Sequence, residues 1–360
     1  MSSKNELTSA AIDIGFGTCA VTTNLHHRVP FYIDYPSRIV RINKLDHSST
    51  DAAMWKGKST SEASVIVHVN GTDYEVGPNV SSQAADGVRA LHSDFVSSER
   101  YLALYKGALG LQPNDCLDFL VVGLPLDALI KAKEVRDLMS GVHFIGSRKI
   151  NVKHVKVFAQ PLGALLWHAK KTADKENPRE DIMHFLNGVP KRAVLDQGYG
   201  TFDCLTVSGL LPDKPQSGAA QIGHNKTLAA VSLHLTNSFN ANVSAEHVDQ
   251  AFRTGELHVF GRSYSFPTCE SFDVLPIIRA HVNDCIEFTK NKVGSAVDIA
   301  EFLLAGGPAP YFLEPMKKAF PHHRIILVED HASAVVRGFG EIARQWRSSQ
   351  NAERTHDEPA

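Results

Sequence analysis

The chain is poor in cysteine and has no dominant charge of either sign. Its five cysteines, in 360 residues, follow neither a zinc spacing nor a disulfide framework. Cys19, Cys116 and Cys204 lie in apolar stretches, which marks them as buried thiols and fits a reducing cytoplasm. A net charge of −2 supplies no basic footprint, which argues against direct, tight, sequence-independent DNA binding. No apolar run approaches the roughly 20 residues that span a bilayer, and the polar N-terminus reads as lacking a signal peptide. Histidine is plentiful, at 18 residues. The adjacent pairs His26-His27 and His322-His323 nevertheless lack the i,i+4 spacing of a helical zinc motif, so they are expected in exposed loops.

What is present is one short pattern used twice. Ala10-Ala11-Ile12-Asp13-Ile14-Gly15-Phe16-Gly17-Thr18 and Ala193-Val194-Leu195-Asp196-Gln197-Gly198-Tyr199-Gly200-Thr201-Phe202-Asp203 each read as an apolar strand, an Asp and a glycine-spaced turn. Glycines let backbone N–H groups approach an anion closely. A single such turn is more often a plain hairpin or bulge. An Asp closing a buried strand is costly unless it is paired, hydrogen-bonded or close to a cation, and the repetition points to a polyphosphate gripped from two sides. A third element, Ile299 to Ala309, reads as a buried strand followed by the Gly306-Gly307 turn, where a base and ribose can lie flat; its plainer reading is a strand-to-helix connection.

A coarse pass gives an α/β plan. Strands are expected at Ala10–Ile14, Cys19–Thr23, Ser64–Val69, Leu117–Gly123 and Val152–Phe158, and helices at Glu99–Leu109, Leu126–Met139 and Pro161–Lys171. Asp46 to Ser61 reads as a polar loop, and Lys170 to Pro190 as a surface excursion. The second half restarts with strands Ala193–Asp196 and Phe202–Ser208. Helices follow at Lys226–Phe239, Ala245–Thr254 and Val274–Lys292, then strand Glu301–Ala305, a short helix from Tyr311 to Ala319, strand Arg324–Val328 and a last helix near Ala332–Arg347. A chain with 43% hydrophobic residues can bury two cores.

The order of these elements resembles the actin, heat-shock ATPase and sugar-kinase superfamily. Phe158-Ala159-Gln160-Pro161-Leu162-Gly163-Ala164-Leu165 is similar to its first connecting helix and His331 to Gly340 to its second. Tyr35-Pro36-Ser37-Arg38, Tyr74-Glu75-Val76-Gly77, Tyr101-Leu102-Ala103-Leu104-Tyr105 and Val121-Val122-Gly123-Leu124-Pro125-Leu126 occur in the order seen in plasmid-segregation actins of the ParM/StbA type and archaeal relatives. The resemblance implies an α/β, actin-like ATPase fold of two duplicated ribonuclease-H-like lobes with a nucleotide cleft between them. Residues 1–160 would form the first lobe, completed by helix 332–347, residues 161–331 the second, and residues 348–360 a polar tail.

The resemblance also implies roles. Asp13 and Asp196 would act in catalysis and orient Mg²⁺ through waters, since Mg²⁺ dehydrates reluctantly. Gly15, Gly17, Thr18, Gly198, Gly200 and Thr201 would hold the phosphates of ATP, with GTP left open, and Gly306 and Gly307 the nucleoside. Gln160 falls at the position that orients the attacking water. Asp203 either lies near the metal or caps the turn by accepting amides. The family's phosphate-contacting lysine, seven residues after the first Asp, is Ala20 here. The implied function is an ATP-dependent, cytoplasmic filament-forming actin-like protein that segregates or positions plasmid DNA. It would assemble head to tail with itself and engage DNA through a bound adaptor, with no direct DNA or membrane contact. The alternative is a non-polymerising sugar- or acetate-type kinase, for which Asp86 and Asp94 lie in the region of a catalytic carboxylate.

Overall fold

The apolar run before Asp13 becomes a central strand, and the run before Asp196 becomes its counterpart in a second sheet. A computed structural model describes residues 7–23, 31–42, 64–78, 80, 94–173, 176–187 and 190–356. The expected loop at Asp46–Ser61, the pair His26-His27 and Asp86 lie outside the described residues. The chain divides into two units. One comprises Met1–Leu124, Ala128–Ala159 and Val336–Ala360, the other Pro125–Asp127 and Gln160–Val335.

In the first unit the strands are β1 (Ser9–Ile14), β2 (Thr18–Thr23), β3 (Phe31–Pro36), β4 (Ile39–Arg41), β5 (Val65–Val69), β6 (Thr72–Val76), β7 (Cys116–Leu124), β8 (Gly141–Ile145) and β9 (Arg148–Ala159). The main sheet has the order β3-β2-β1-β7-β9-β8, and β4-β6-β5 form a small second sheet. β1 runs antiparallel to β2 and parallel to β7, which is why β1 and β7 are apolar almost throughout. Helix α1 (Glu99–Gly110) starts at Ser98, whose side chain accepts the Tyr101 N–H. It buries Tyr101, Leu104, Tyr105 and Ala108 in one core with Ile12, Ile14, Cys19 and Val21. The expected helix Leu126–Met139 splits into a 3₁₀ segment, Leu126–Lys131, and α2 (Ala132–Met139). β3, β4, β6 and β8 add to the strands expected from sequence.

The C-terminal helix, Ala334–His356, packs on the same sheet. Phe339 stacks on Phe158 at 6.5 Å, Trp346 meets Phe119 at 4.6 Å, and Lys156 lies 4.0 Å over the Trp346 ring. This helix continues into the segment expected as a polar tail, because Gln350 to Arg354 contains good helix formers and no Gly or Pro.

The second unit repeats the plan. Its strands are β10 (Lys191–Gln197), β11 (Phe202–Ser208), β12 (Leu211–Pro212), β13 (Gly218–Ala220), the hairpins β14 (Glu256–Val259) with β15 (Arg262–Ser265) and β16 (Thr268–Cys269) with β17 (Phe272–Asp273), then β18 (Ile299–Ala305) and β19 (Arg324–Leu327). The sheet order is β12-β11-β10-β18-β19, with β13 also on β11. The series β11-β10-β18-β19 therefore matches β2-β1-β7-β9 in order and direction. The helices are α3 (Gln160–Thr172), α4 (Pro178–Asn187), α5 (His224–Phe239), α6 (Ala245–Thr254), α7 (Leu275–Val293) and α8 (Leu313–Ala319). The expected excursion at Lys170–Pro190 thus contains α4, which Pro178 opens. Its Phe185 ring receives the Arg192 guanidinium at 3.8 Å. Arg192 in turn pairs at 2.6 Å with Glu301, a buried carboxylate that also meets Arg324 at 3.3 Å.

Candidate nucleotide site

The first turn is built by β1, β2 and the residue after β3. Gly15 N–H donates to Thr18 C=O at 2.9 Å and closes the hairpin. Ser37, buried at the end of the Tyr35-Pro36-Ser37-Arg38 run, holds the turn from behind. Its Oγ donates to Gly15 C=O at 2.6 Å and its N–H to Gly17 C=O at 2.9 Å. The Phe16 ring stacks on Phe95 at 4.7 Å, and Phe95 meets Tyr101 edge-on at 5.4 Å, so α1 steadies the turn. With these carbonyls tied back, the N–H groups of Phe16 and Gly17 donate to nothing among the described residues. Asp13 sits beside Gly123 on the parallel neighbour β7, which leaves its carboxylate room.

The second turn has the same closure, Gly198 N–H to Thr201 C=O at 3.0 Å. Here the carbonyls are tied back by the start of α5. Gly223, His224 and Asn225 N–H groups donate to Gly200, Gly198 and Tyr199 C=O at 3.2, 3.0 and 2.9 Å. Only glycine fits at 223, since a Cβ there would stand 2.3 Å from the Gly200 carbonyl carbon. Gln197 reaches the Gly198 and Ile222 carbonyls, each at 3.3 Å, and its Oε1 accepts from Cys285 Sγ at 3.4 Å. The Gly200 N–H has no partner among the described residues. Asp196 lies beside Ala305 on β18, again a small neighbour. Each unit thus carries an Asp, a small residue next to it, and a turn whose carbonyls point into protein: the composition of an anion nest.

Asp203 pairs with Asp196 across the hairpin, at the place Ala20 holds opposite Asp13. Its carboxylate accepts the Leu126 N–H at 2.8 Å through Oδ1 and the Thr201 hydroxyl at 2.9 Å through Oδ2. Burial raises its pKa to about 7 against the lowering effect of those two bonds, with Asp127 pushing it further up. Asp203 thus ties the turn to the chain at Leu126. It also commits the single Thr201 hydroxyl proton, so the side chain expected to donate to phosphate donates to Asp203. Gln221 Nε2 meets Asp127 at 2.9 Å, and together the two contacts hold the Pro125–Asp127 strap on the second unit.

The third turn follows β18. Gly306 has φ 95° and a Cβ there would fall 2.2 Å from the Gln197 carbonyl oxygen, whereas a Cβ on Gly307 would meet nothing within 4 Å. His331 clasps Gly306 from the other side: Gly306 N–H donates to His331 C=O at 3.0 Å, and His331 Nδ1 lies 2.7 Å from Gly306 C=O. Gln160 opens α3 and is buried. Among the described residues no three His, Cys, Asp or Glu side chains gather to hold a metal. A cation held by protein alone has no donor set there. A Mg²⁺ that keeps its waters and takes substrate oxygens needs only one or two carboxylates.

Several supporting residues were not singled out for this role in the sequence. Ser37 stood only as part of a family-like run, and Gly223 and His331 had no repeat partner to draw attention. Asp94, weighed as a kinase carboxylate, is a surface residue with an 82% exposed side chain, 3.4 Å from Lys131. Cys19, Cys204 and Cys285 are buried thiols, each pushed up to about 12 by desolvation, while Cys116 is half-buried. No described helix is long and apolar enough to cross a membrane.

Residues 11–163 match the family of actin like proteins N terminal domain. No curated protein sequence matches the chain. Among solved structures, an archaeal actin homologue in complex with ADP superposes with a TM-score of 0.71 at 17% identity, covering 94% of this chain and 100% of that one. A ParM from Clostridium botulinum, solved as a 15-stranded filament, gives 0.69 at 18% identity, with 94% and 100% covered. Actin-like protein Alp7A gives 0.66 at 15% identity, with 98% and 100% covered. With its two matching sheets and paired Asp-glycine hairpins, the chain has the actin-like fold.

Proposed function

We propose that this protein is an ATP-dependent, filament-forming actin-like protein of the cytoplasm that segregates or positions plasmid DNA through a DNA-bound adaptor. The observation that carries the nucleotide part is the repeated hairpin: Phe16, Gly17 and Gly200 present N–H donors while the neighbouring carbonyls are tied back. Such donors suit the oxygens of a polyphosphate, and phosphoryl transfer depends chiefly on positioning and charge neutralisation. In this reading both turns contact the phosphates, Asp13 and Asp196 orient Mg²⁺ through water, and Gln160 orients the attacking water. Bound Mg²⁺ would supply the charge neutralisation. The filament part is supported by likeness of fold to a ParM solved as a filament. A heterologous contact between copies generates an open polymer.

The test is 90° light scattering of the purified protein with Mg-ATP, Mg-GTP, Mg-ADP and no nucleotide, read beside phosphate release and negative-stain images. A triphosphate-dependent rise with visible filaments is expected. Asp196→Ala should lower turnover by about a hundredfold or more, and normal turnover in that variant would remove Asp196 from the site. Phosphate release with a flat scattering trace would replace the filament reading with a soluble kinase or phosphatase.

A further inference from the structure

We propose that Phe260 is an anchor by which one copy of this chain grips the next. The inference rests on the filament reading and names the element that makes one of its contacts. Among the described residues, two hairpins close with a two-residue turn whose central residues both have positive φ. One is Asn70-Gly71, at 47° and 83°, between β5 and β6; the other is Phe260-Gly261, at 51° and 72°, between β14 and β15. Such a turn favours Asn, Asp or Gly at its first position. Asn70 obeys that rule and Phe260 breaks it, since a bulky side chain in the left-handed region is an outlier that costs free energy. Within its own chain the ring offsets little of that cost, because Phe260 is 77% exposed.

The tip stands on a firm base. Leu257 and Val259 are buried in the core of the second unit, Ser263 Oγ donates to Glu256 across the hairpin at 2.9 Å, and Tyr264 meets Phe239 edge-on at 5.1 Å. Phe266 N–H donates to Gly255 C=O at 2.9 Å and closes the open end. An aromatic ring already held in place has little freedom to lose on docking, and such rings carry a large share of interface energy. The surroundings fit a second copy of this chain. Glu256, His258 and Arg262 are exposed on the same hairpin and carry both signs, and the chain's net charge is only −2, so one copy approaches another against little repulsion. A protruding ring needs a recess and not its own image. The contact therefore joins unlike surfaces and propagates instead of closing on a pair.

Phe260→Asn removes the ring and gives the turn the residue it prefers, so two readouts should move in opposite senses. The urea midpoint of the unassembled protein should rise. The critical concentration for assembly with Mg-ATP, read by light scattering and pelleting, should rise by about tenfold or more, the effect of losing one aromatic anchor. Phe260→Ala removes the ring but leaves a residue as ill-suited to the turn, and should impair assembly equally with a urea midpoint close to native. Assembly of Phe260→Asn at the native critical concentration overturns the inference and leaves the filament reading standing. So does impaired assembly accompanied by a lower urea midpoint, which would make the ring a support of its own hairpin. Native protein that forms no filaments with Mg-ATP or Mg-GTP overturns the filament reading, and the inference with it.

Discussion

Ser37 illustrates how a buried hydroxyl shapes a site without entering it. It spends its donors on Gly15 and Gly17, so the turn's own N–H groups stay available for an anion. Ser37→Ala removes the 2.6 Å bond to the part-buried Gly15 carbonyl, a cost of about 1 kcal/mol. We expect a lower urea midpoint and, in titrations with labelled nucleotide, an affinity reduced about fivefold or more. An unchanged affinity would mean that the turn holds its shape without Ser37. Asp13, Asp196 and the turn glycines were legible in the sequence because each pattern occurs twice. His331 was not, since its role depends on a carbonyl that lies 25 residues away in the chain.

At the scale of elements, β7 is tied at its start by Asp118. This carboxylate accepts from Thr8 N–H at 2.8 Å and Thr8 Oγ1 at 3.0 Å, and pairs with Lys153 at 2.7 Å. Burial opposes its ionisation, but the bonds from Lys153 and Thr8 outweigh it and hold the pKa below the usual carboxylate range. A depressed folded-state pKa stabilises the native state above the unfolded value, near 4, and this contribution fades as pH falls through the folded value. Asp118→Asn should therefore cost about 1–3 kcal/mol at pH 7 and progressively less below about pH 4. Urea titrations of both proteins across that range check the sign, and a gap that widens in acid would contradict it. Central strands and long amphipathic helices were readable from periodicity. The hairpins after α6 and the edge strand β8 were not, because strands of two to five residues carry too few alternations to register. Helix α4 was hidden by its charge and its opening proline.

For the whole molecule, the order of five motifs along the chain was enough to anticipate the fold, since each of the two sheets is completed by strands that follow its Asp hairpin. Which protein fragment belongs to which unit was less legible. The crossing of Pro125–Asp127 into the second unit comes with a bond from Leu126 N–H to Asp203, a residue read from sequence as lying near a metal or capping its own turn. If the proposed filament is weakened by hydrolysis, Gln160 offers a separate test. Gln160→Ala should bind nucleotide normally but slow phosphate release, so the scattering plateau after a pulse of ATP should last several times longer. Parallel loss of binding and turnover would instead make Gln160 a support for the start of α3.

The strap and the C-terminal helix together set a timetable for synthesis. Leu126 leaves the ribosome 77 residues before the carboxylate that anchors it. Phe158 and Phe119, on the sheet begun by β1, lack their aromatic partners until Phe339 and Trp346 arrive. A nascent chain thus leaves these two rings of its first sheet uncovered until the C-terminal helix has been made.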